Sequence, residues 1–130
     1  MKNKLKVYYN NIPDELLKQA EEHRETQGYA YNKIEKLLIE FDNIPIGFLS
    51  PRLEKGYWRV SAIFIIEPYR NCGLGTKVVQ DFFSDKKGKA VISEKNIASQ
   101  TIFSKSGFIK SDRKIMDGNL ECYLWVKNEL

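Results

Sequence analysis

The stretch Ile65-Ile66-Glu67-Pro68-Tyr69-Arg70-Asn71-Cys72-Gly73-Leu74-Gly75-Thr76 decides how this chain folds. An apolar run stops at a proline, and two glycines open a segment in which Leu74, Val78 and Phe82, with Val79 and Phe83 beside them, recur at helical spacing. Glycine permits positive φ and close approach, so the chain can turn tightly between strand and helix. The first-turn N–H groups of such a helix have no internal acceptor and converge where the helix dipole favours negative charge. The pattern therefore reads as strand, turn and helix around an anion site made of backbone, against the plainer reading of a glycine turn without ligand. Gly73-Leu74-Gly75-Thr76-Lys77-Val78 has valine where G-x-G-x-x-G needs its third glycine, and no G-x-x-x-x-G-K-[ST] occurs, so neither a dinucleotide nor a triphosphatase loop is supported.

Working outward, residues 57–66 form a long strand leading into this turn, and residues 34–41 and 46–50 form two more, joined at Asp42-Asn43-Ile44-Pro45. Residues 4–9 alternate as a first strand, and Pro13 opens a helix with Leu16, Leu17 and Ala20 on one face, ended by Gly28. After a helix over 73–87, residues 90–93 read as a short buried strand and 96–106 as a second helix stopped by Gly107. Residues 108–116 and 120–126 close the chain as a hairpin around Asp117-Gly118-Asn119. The order β-α-β-β-β-α-β-α-β-β predicts an α/β chain, a mixed sheet with helices on it, in one domain over residues 1–130.

Composition narrows the function classes. With 42% hydrophobic and 29% charged residues, the chain lacks the apolar depletion of disorder. It has no apolar run near membrane length and no secretory pattern at its start, so a cytoplasmic protein without a membrane span is expected. Two cysteines and one histidine, His23, are too few for a structural zinc site or a disulfide framework, so no metal is expected. The formal charge of +4 is concentrated, because residues 70–114 hold ten Lys or Arg against four Asp or Glu. That segment is either a pair of solvated helix faces or a field that attracts a phosphorylated ligand. Nucleic-acid binding is not expected, since interleaved aromatics and a recognition motif are both missing.

Arg70-Asn71-Cys72-Gly73-Leu74-Gly75 resembles the [RQ]-x-x-G-x-[GA] motif of the GNAT acetyltransferases, preceded as there by an apolar strand and x-Pro-x-Tyr. Asn96-Ile97-Ala98-Ser99-Gln100-Thr101-Ile102-Phe103-Ser104-Lys105-Ser106-Gly107-Phe108 resembles that family's second motif. The resemblance implies a GNAT-type acyl-CoA N-acyltransferase fold, about seven strands with three or four helices, and acetyl-CoA as acyl donor. By the match, backbone N–H groups of Asn71, Cys72, Gly73, Leu74, Gly75 and Thr76, with Arg70, would cradle the pyrophosphate. The strand edge at Phe64 and Ile66 would pair with the pantetheine arm, with the oxyanion met by an N–H near Phe64 or Ile65, so that Ile65 also counts among the donor-binding residues. Asn96, Ser99, Phe103 and Lys105 would meet the donor from the other side, with Lys77 and Lys110 as further partners of its phosphates.

The implied activity is transfer of an acetyl group from acetyl-CoA to a primary amine of a small molecule or peptide. Where the family often has a tyrosine that protonates the leaving sulfur, this chain has Phe103, which has no proton to give. Ser99 or Tyr123 could supply a hydroxyl, and Glu40 is the nearest candidate for a base, because residues 57–66 contain no carboxylate before the loop. Tyr57 and Ser61 could instead hold a water chain, and Tyr29, Tyr31 and Trp58 could wall the acceptor pocket. Cys72 has no histidine as base and is read as a tolerated small residue, not a nucleophile. The alternative function is an acyl-CoA-binding or sensing module of the same fold with little or no turnover. The terminal hairpin offers an edge through which a homodimer could pair.

Overall fold

Described over residues 4–23 and 36–128, the computed structural model follows the expected element order and shows where the sequence pattern was too short or too long. Strand β1 (Leu5–Tyr9) is followed by helix α1 (Asp14–His23), with Asp14 and Glu15 in its first turn, where the dipole favours them. The expected end at Gly28 lies outside the described residues. Strand β2 (Leu37–Phe41) and strand β3 (Ile44–Glu54) meet at Asp42 and Asn43, both at positive φ, the geometry of a tight hairpin turn. Strand β4 (Tyr57–Ile65), helix α2 (Leu74–Phe82), strand β5 (Gly88–Ser93), helix α3 (Ile97–Lys105), and strands β6 (Ile109–Asp117) and β7 (Leu120–Lys127) complete the order.

Two expectations need correcting. The strand expected over residues 46–50 is eleven residues long and includes Pro45 and Pro51. Both prolines lie beside register shifts, Pro45 next to the β3 bulge at Ile46 and Pro51 opposite the β4 bulge at Ser61, where a ladder N–H is not required. The helix expected to run to residue 87 ends at Phe82 and is capped by Phe83, whose carbonyl accepts from the backbone N–H of Lys86 and from Lys127 Nζ at 2.9 Å. Phe83 is fully buried against Phe108 with centroids 5.0 Å apart, and the chain must turn there to bring Gly88 beside Trp58.

All seven strands lie in one sheet of order β1-β2-β3-β4-β5-β7-β6, antiparallel except for the β4–β5 pair. Helices α2 and α3 cover one face, where Val78, Val79, Phe83, Phe103 and Phe108 pack with sheet residues from Leu37 to Trp125. Helix α1 covers the other face on the β3–β4 side, where Ala20 packs with Phe48 and Phe64. Gly47 is required in β3, because a Cβ there would stand 2.0 Å from the carbonyl oxygen of Phe64. Among the described residues no helix is long and apolar enough to cross a membrane.

Candidate active site

The parallel pair β4–β5 holds over three residues, Trp58 with Gly88, Arg59 with Lys89 and Val60 with Ala90, and then stops. Opposite Ser50 and Pro51, β4 carries one residue too many: Ala62 pairs with Ser50 and Val60 with Pro51, which leaves Ser61 as a bulge. A bulge bends and over-twists its strand, so β4 leaves β5 where the pairing ends. Beyond Val60 the sheet is two halves: β4 stays with β3 to Ile65, and β5 stays with β7 to Ser93. Between them lies a cleft of about 1090 Å³, walled by residues 60–65 of β4 and 90–93 of β5.

The register shows which atoms of β4 face the opening. The Ile66 N–H donates to the Ile46 carbonyl of β3 at 2.8 Å, and strand alternation turns the N–H groups of Phe64 and Ala62 the same way. The backbone groups of Ile63 and Ile65 therefore face the cleft. The carbonyl of Ile65 is taken by Nε of Arg70, whose guanidinium lies 5.4 Å from the Phe64 ring centroid, so Arg70 pins the loop to the strand that precedes it.

After Ile65 a single 3-10 turn (Glu67–Tyr69) reverses the chain, and Asn71 and Gly73 then take positive φ of 60° and 86°. Gly73 is the N-cap of α2, with no side-chain cap and no acidic residue in the first turn. None of the backbone N–H groups from Asn71 to Thr76 donates to an acceptor among the described residues. A Cβ on Gly73 would meet nothing within 4 Å, whereas one on Gly75 would stand 2.7 Å from Cδ1 of Ile102. The two glycines thus serve different ends: Gly73 makes the turn beside open space, and Gly75 lets α3 and β4 close on α2.

On the far wall, Asn96 caps α3 by accepting from the Ser99 N–H at 3.1 Å, which leaves its amide NH₂ without a partner among the described residues. Gln100 ties the helix to the end of β5 through the carbonyls of Ser93 and Glu94. The cleft carries three cations, Arg59, Arg70 and Lys105, and one carboxylate, Asp117. No group of three His, Cys, Asp or Glu side chains that could hold a metal ion occurs among the described residues.

No protein-family model matches this sequence, and no curated protein does. Solved structures do. A GNAT family acetyltransferase from Elizabethkingia anophelis, solved with acetyl-CoA bound, superposes with a TM-score of 0.74 at 18% identity over 99% of this chain and 100% of its own. Arabidopsis thaliana Naa50, in complex with the bisubstrate analogue CoA-Ac-MVNAL, gives 0.70 at 19% identity over 96% and 99%. A Bacillus subtilis acetyltransferase in complex with CoA gives 0.69 at 14% identity over 98% and 100%. This chain has the GNAT acetyltransferase fold.

Within the GNAT fold the residues singled out from sequence do not all converge. Phe64, Ile65, Arg70, Asn71, Gly73, Gly75, Thr76, Asn96, Ser99, Phe103 and Lys105 line the cleft. Ile66, Cys72 and Leu74 do not: Ile66 is bound to β3, Cys72 is exposed with its thiol donating to the Tyr69 carbonyl at 3.1 Å, and Leu74 packs on the core. The strand edge that faces the cleft is accordingly Ile63 and the N–H of Ile65, in place of Phe64 and Ile66. Phe103 is 2% exposed and meets Phe108 edge-on at 4.9 Å.

The acid and base candidates correct more sharply. Tyr123 shares the α2–α3 face and gives its hydroxyl to Glu121 at 3.1 Å, away from the cleft. Glu40 accepts from Tyr8 at 3.0 Å and pairs with Lys6, two strands removed from β4. Neither lines the cleft; Ser99 does. Tyr57 donates to Glu54 at 2.8 Å, a bond that lowers the Glu54 pKa and raises that of Tyr57, and Trp58 packs on Phe82 under α2. Lys77 and Lys110 are held by Asp81 and Glu94. Tyr29 and Tyr31 lie outside the described residues. Sequence reasoning missed Ile63 as an edge residue, which depends on register; Asp117, which begins the terminal turn, lines the cleft.

Proposed function

We propose that this chain is an N-acetyltransferase that moves the acetyl group of acetyl-CoA to a primary amine of a small molecule or peptide. The observation that carries the reading is the cleft between β4 and β5, closed at one end by the unpartnered N–H groups of Asn71 to Thr76. Those N–H groups take the donor pyrophosphate, Lys105 adds a positive charge, and the edge at Ile63 and the Ile65 N–H pairs with the pantetheine arm as an added strand would. The structures with acetyl-CoA, CoA or the bisubstrate analogue support the same ligand for the same cleft.

In the reaction a neutral amine attacks the thioester carbonyl, the C–N bond forms, and the carbonyl oxygen becomes an oxyanion for a backbone N–H of the bulged strand to stabilise. The C–S bond then breaks, the thiolate leaves, and the amine's excess proton passes to water. A thiol with a pKa near 8.5 is a fair leaving group, so Phe103 in place of an acid does not forbid turnover. Ser99 is the hydroxyl nearest in role, directly or through water. The supporting experiment is thermal melting with acetyl-CoA followed by an amine screen that reads free thiol. At a hundredfold excess over Kd, acetyl-CoA should stabilise by about 2.7 kcal/mol, a rise on the order of 10 °C for a domain of this size. No shift at millimolar acetyl-CoA refutes the proposal. A shift with no thiol release for any amine supports instead a CoA-binding module without turnover, the reading favoured by the buried, proton-less Phe103.

A further inference from the structure

We propose that Asp117 is the specificity-determining residue of the acceptor side of the cleft and selects an amine that carries a second cationic group. The proposal rests on the acetyltransferase reading and deepens it.

The sheet register places Asp117. Ala90 and Ile92 of β5 pair with Trp125 and Tyr123 of β7, and these four pack beneath α2 and α3. Ser93, Cys122 and Ile115 form the next cross-strand row and belong to the opposite face. Asp117, two residues beyond Ile115 on the same strand, shares that opposite face, which α1 covers on the other half of the sheet. Ala20 of α1 and Asp117 of β6 both line the cleft. The N–H loop opens the cleft from the α2 side, and Asp117 stands at its mouth on the α1 side. A donor entering by the first and an acceptor entering by the second meet between β4 and β5.

Charge makes the position selective. Asp117 is the only carboxylate lining the cleft among the described residues, and it is half-buried. It has no hydrogen-bond or ion-pair partner among them, whereas its neighbours are occupied: Glu94 by Lys110 at 2.6 Å, Glu121 by Lys114 at 3.5 Å. Asp117 ends β6, at the opposite end of the strand from Ile109, which follows the α3 turn that carries Lys105. In a chain of net charge +4, an unpaired carboxylate at the acceptor mouth attracts a cation. The attacking amine must itself be neutral to react, so the cation that stays on Asp117 is a second one on the same molecule.

The test compares the parent with Asp117→Asn at saturating acetyl-CoA on two matched pairs. One pair is a linear diamine and the monoamine of equal length; the other is a peptide whose amine is followed by lysine and its norleucine counterpart. The diamine or lysine-peptide KM should rise roughly five- to tenfold in Asp117→Asn, with kcat little changed and the singly charged partners unaffected. In the parent that KM should climb with salt, and in the variant it should be nearly flat. Which pair shows the effect identifies the source of the second cation. Diamine and lysine-peptide affinities measured by NMR titration, independent of turnover, should fall by the same ratio. Equal changes for singly and doubly charged acceptors, or no change in either KM or affinity, overturn the role of Asp117. Acetyl-CoA stabilisation of both proteins, measured alongside, separates that outcome from failure of the acetyltransferase reading.

Discussion

Replacing Gly73 by Asp tests the anion loop with the least disturbance to the fold. A Cβ at Gly73 meets no atom within 4 Å, so the cost to folding is that of φ +86°, about 1 kcal/mol for a residue as tolerant of this region as Asp. For a domain of this size that lowers Tm by about 4 °C. Gly75→Asp, by contrast, would press a carboxylate against Ile102 and Ile65 and confuse unfolding with lost binding. The added charge at position 73 stands beside the free N–H groups that the pyrophosphate needs. Taking about 6 Å between it and each of two phosphate charges, and an effective dielectric near 40, the repulsion is about 1.4 kcal/mol per charge, or roughly 100-fold in affinity. Gly73→Asn has the same shape and the same tolerance of positive φ without the charge, so it isolates that effect. Calorimetric titration of CoA should show Gly73→Asp binding about 100-fold more weakly than Gly73→Asn, with the gap narrowing in 1 M salt, where charges are screened beyond about 3 Å. Equal affinities for the two variants, or a gap indifferent to salt, would mean that the loop is a turn and not a phosphate site.

Three further outcomes follow from particular contacts. Gly75→Ala should lower Tm by about 4–8 °C, and Ile102→Val, which removes the Cδ1 atom 2.7 Å from the new methyl, should recover part of the loss in the double variant. Ser99→Ala and Phe103→Tyr should each change turnover by less than about tenfold at pH 7, while Tyr123→Phe and Glu40→Gln, both outside the cleft, should be silent in kcat. A hundredfold loss in Ser99→Ala with donor binding intact would reveal an essential acid. Tyr57→Phe should return the Glu54 carboxyl toward 4.5, because the Tyr57 hydroxyl is the largest cause of its lowering, and a carbon-13 carboxyl titration reads this directly. A pKa lowered in the fold stabilises above the unfolded value and is lost as pH falls through the folded one, so the parent's small advantage over the variant should be present above 4.5 and disappear as pH falls through the lowered value of Glu54.

How much could be read in advance depended on the range of the interaction. The turn at Gly73, the apolar face of α2, the Asn96 cap and the stop at Gly107 all come from residues within a few positions of one another. Backbone φ limits, helix spacing and capping act locally, and so the element order and the loop were legible from the chain alone. The bulge at Ser61, the parting of β4 from β5, the assignment of Ile63 and Ile65 to the cleft-facing edge, and the reach of β3 through two prolines depend on which strand pairs with which, and in what register. A one-residue slip exchanges the faces of a strand, and no local residue type encodes it. For that reason Tyr123 and Glu40, reasonable as chemistry, fall outside the cleft, while Asp117, at the terminal turn, falls within it.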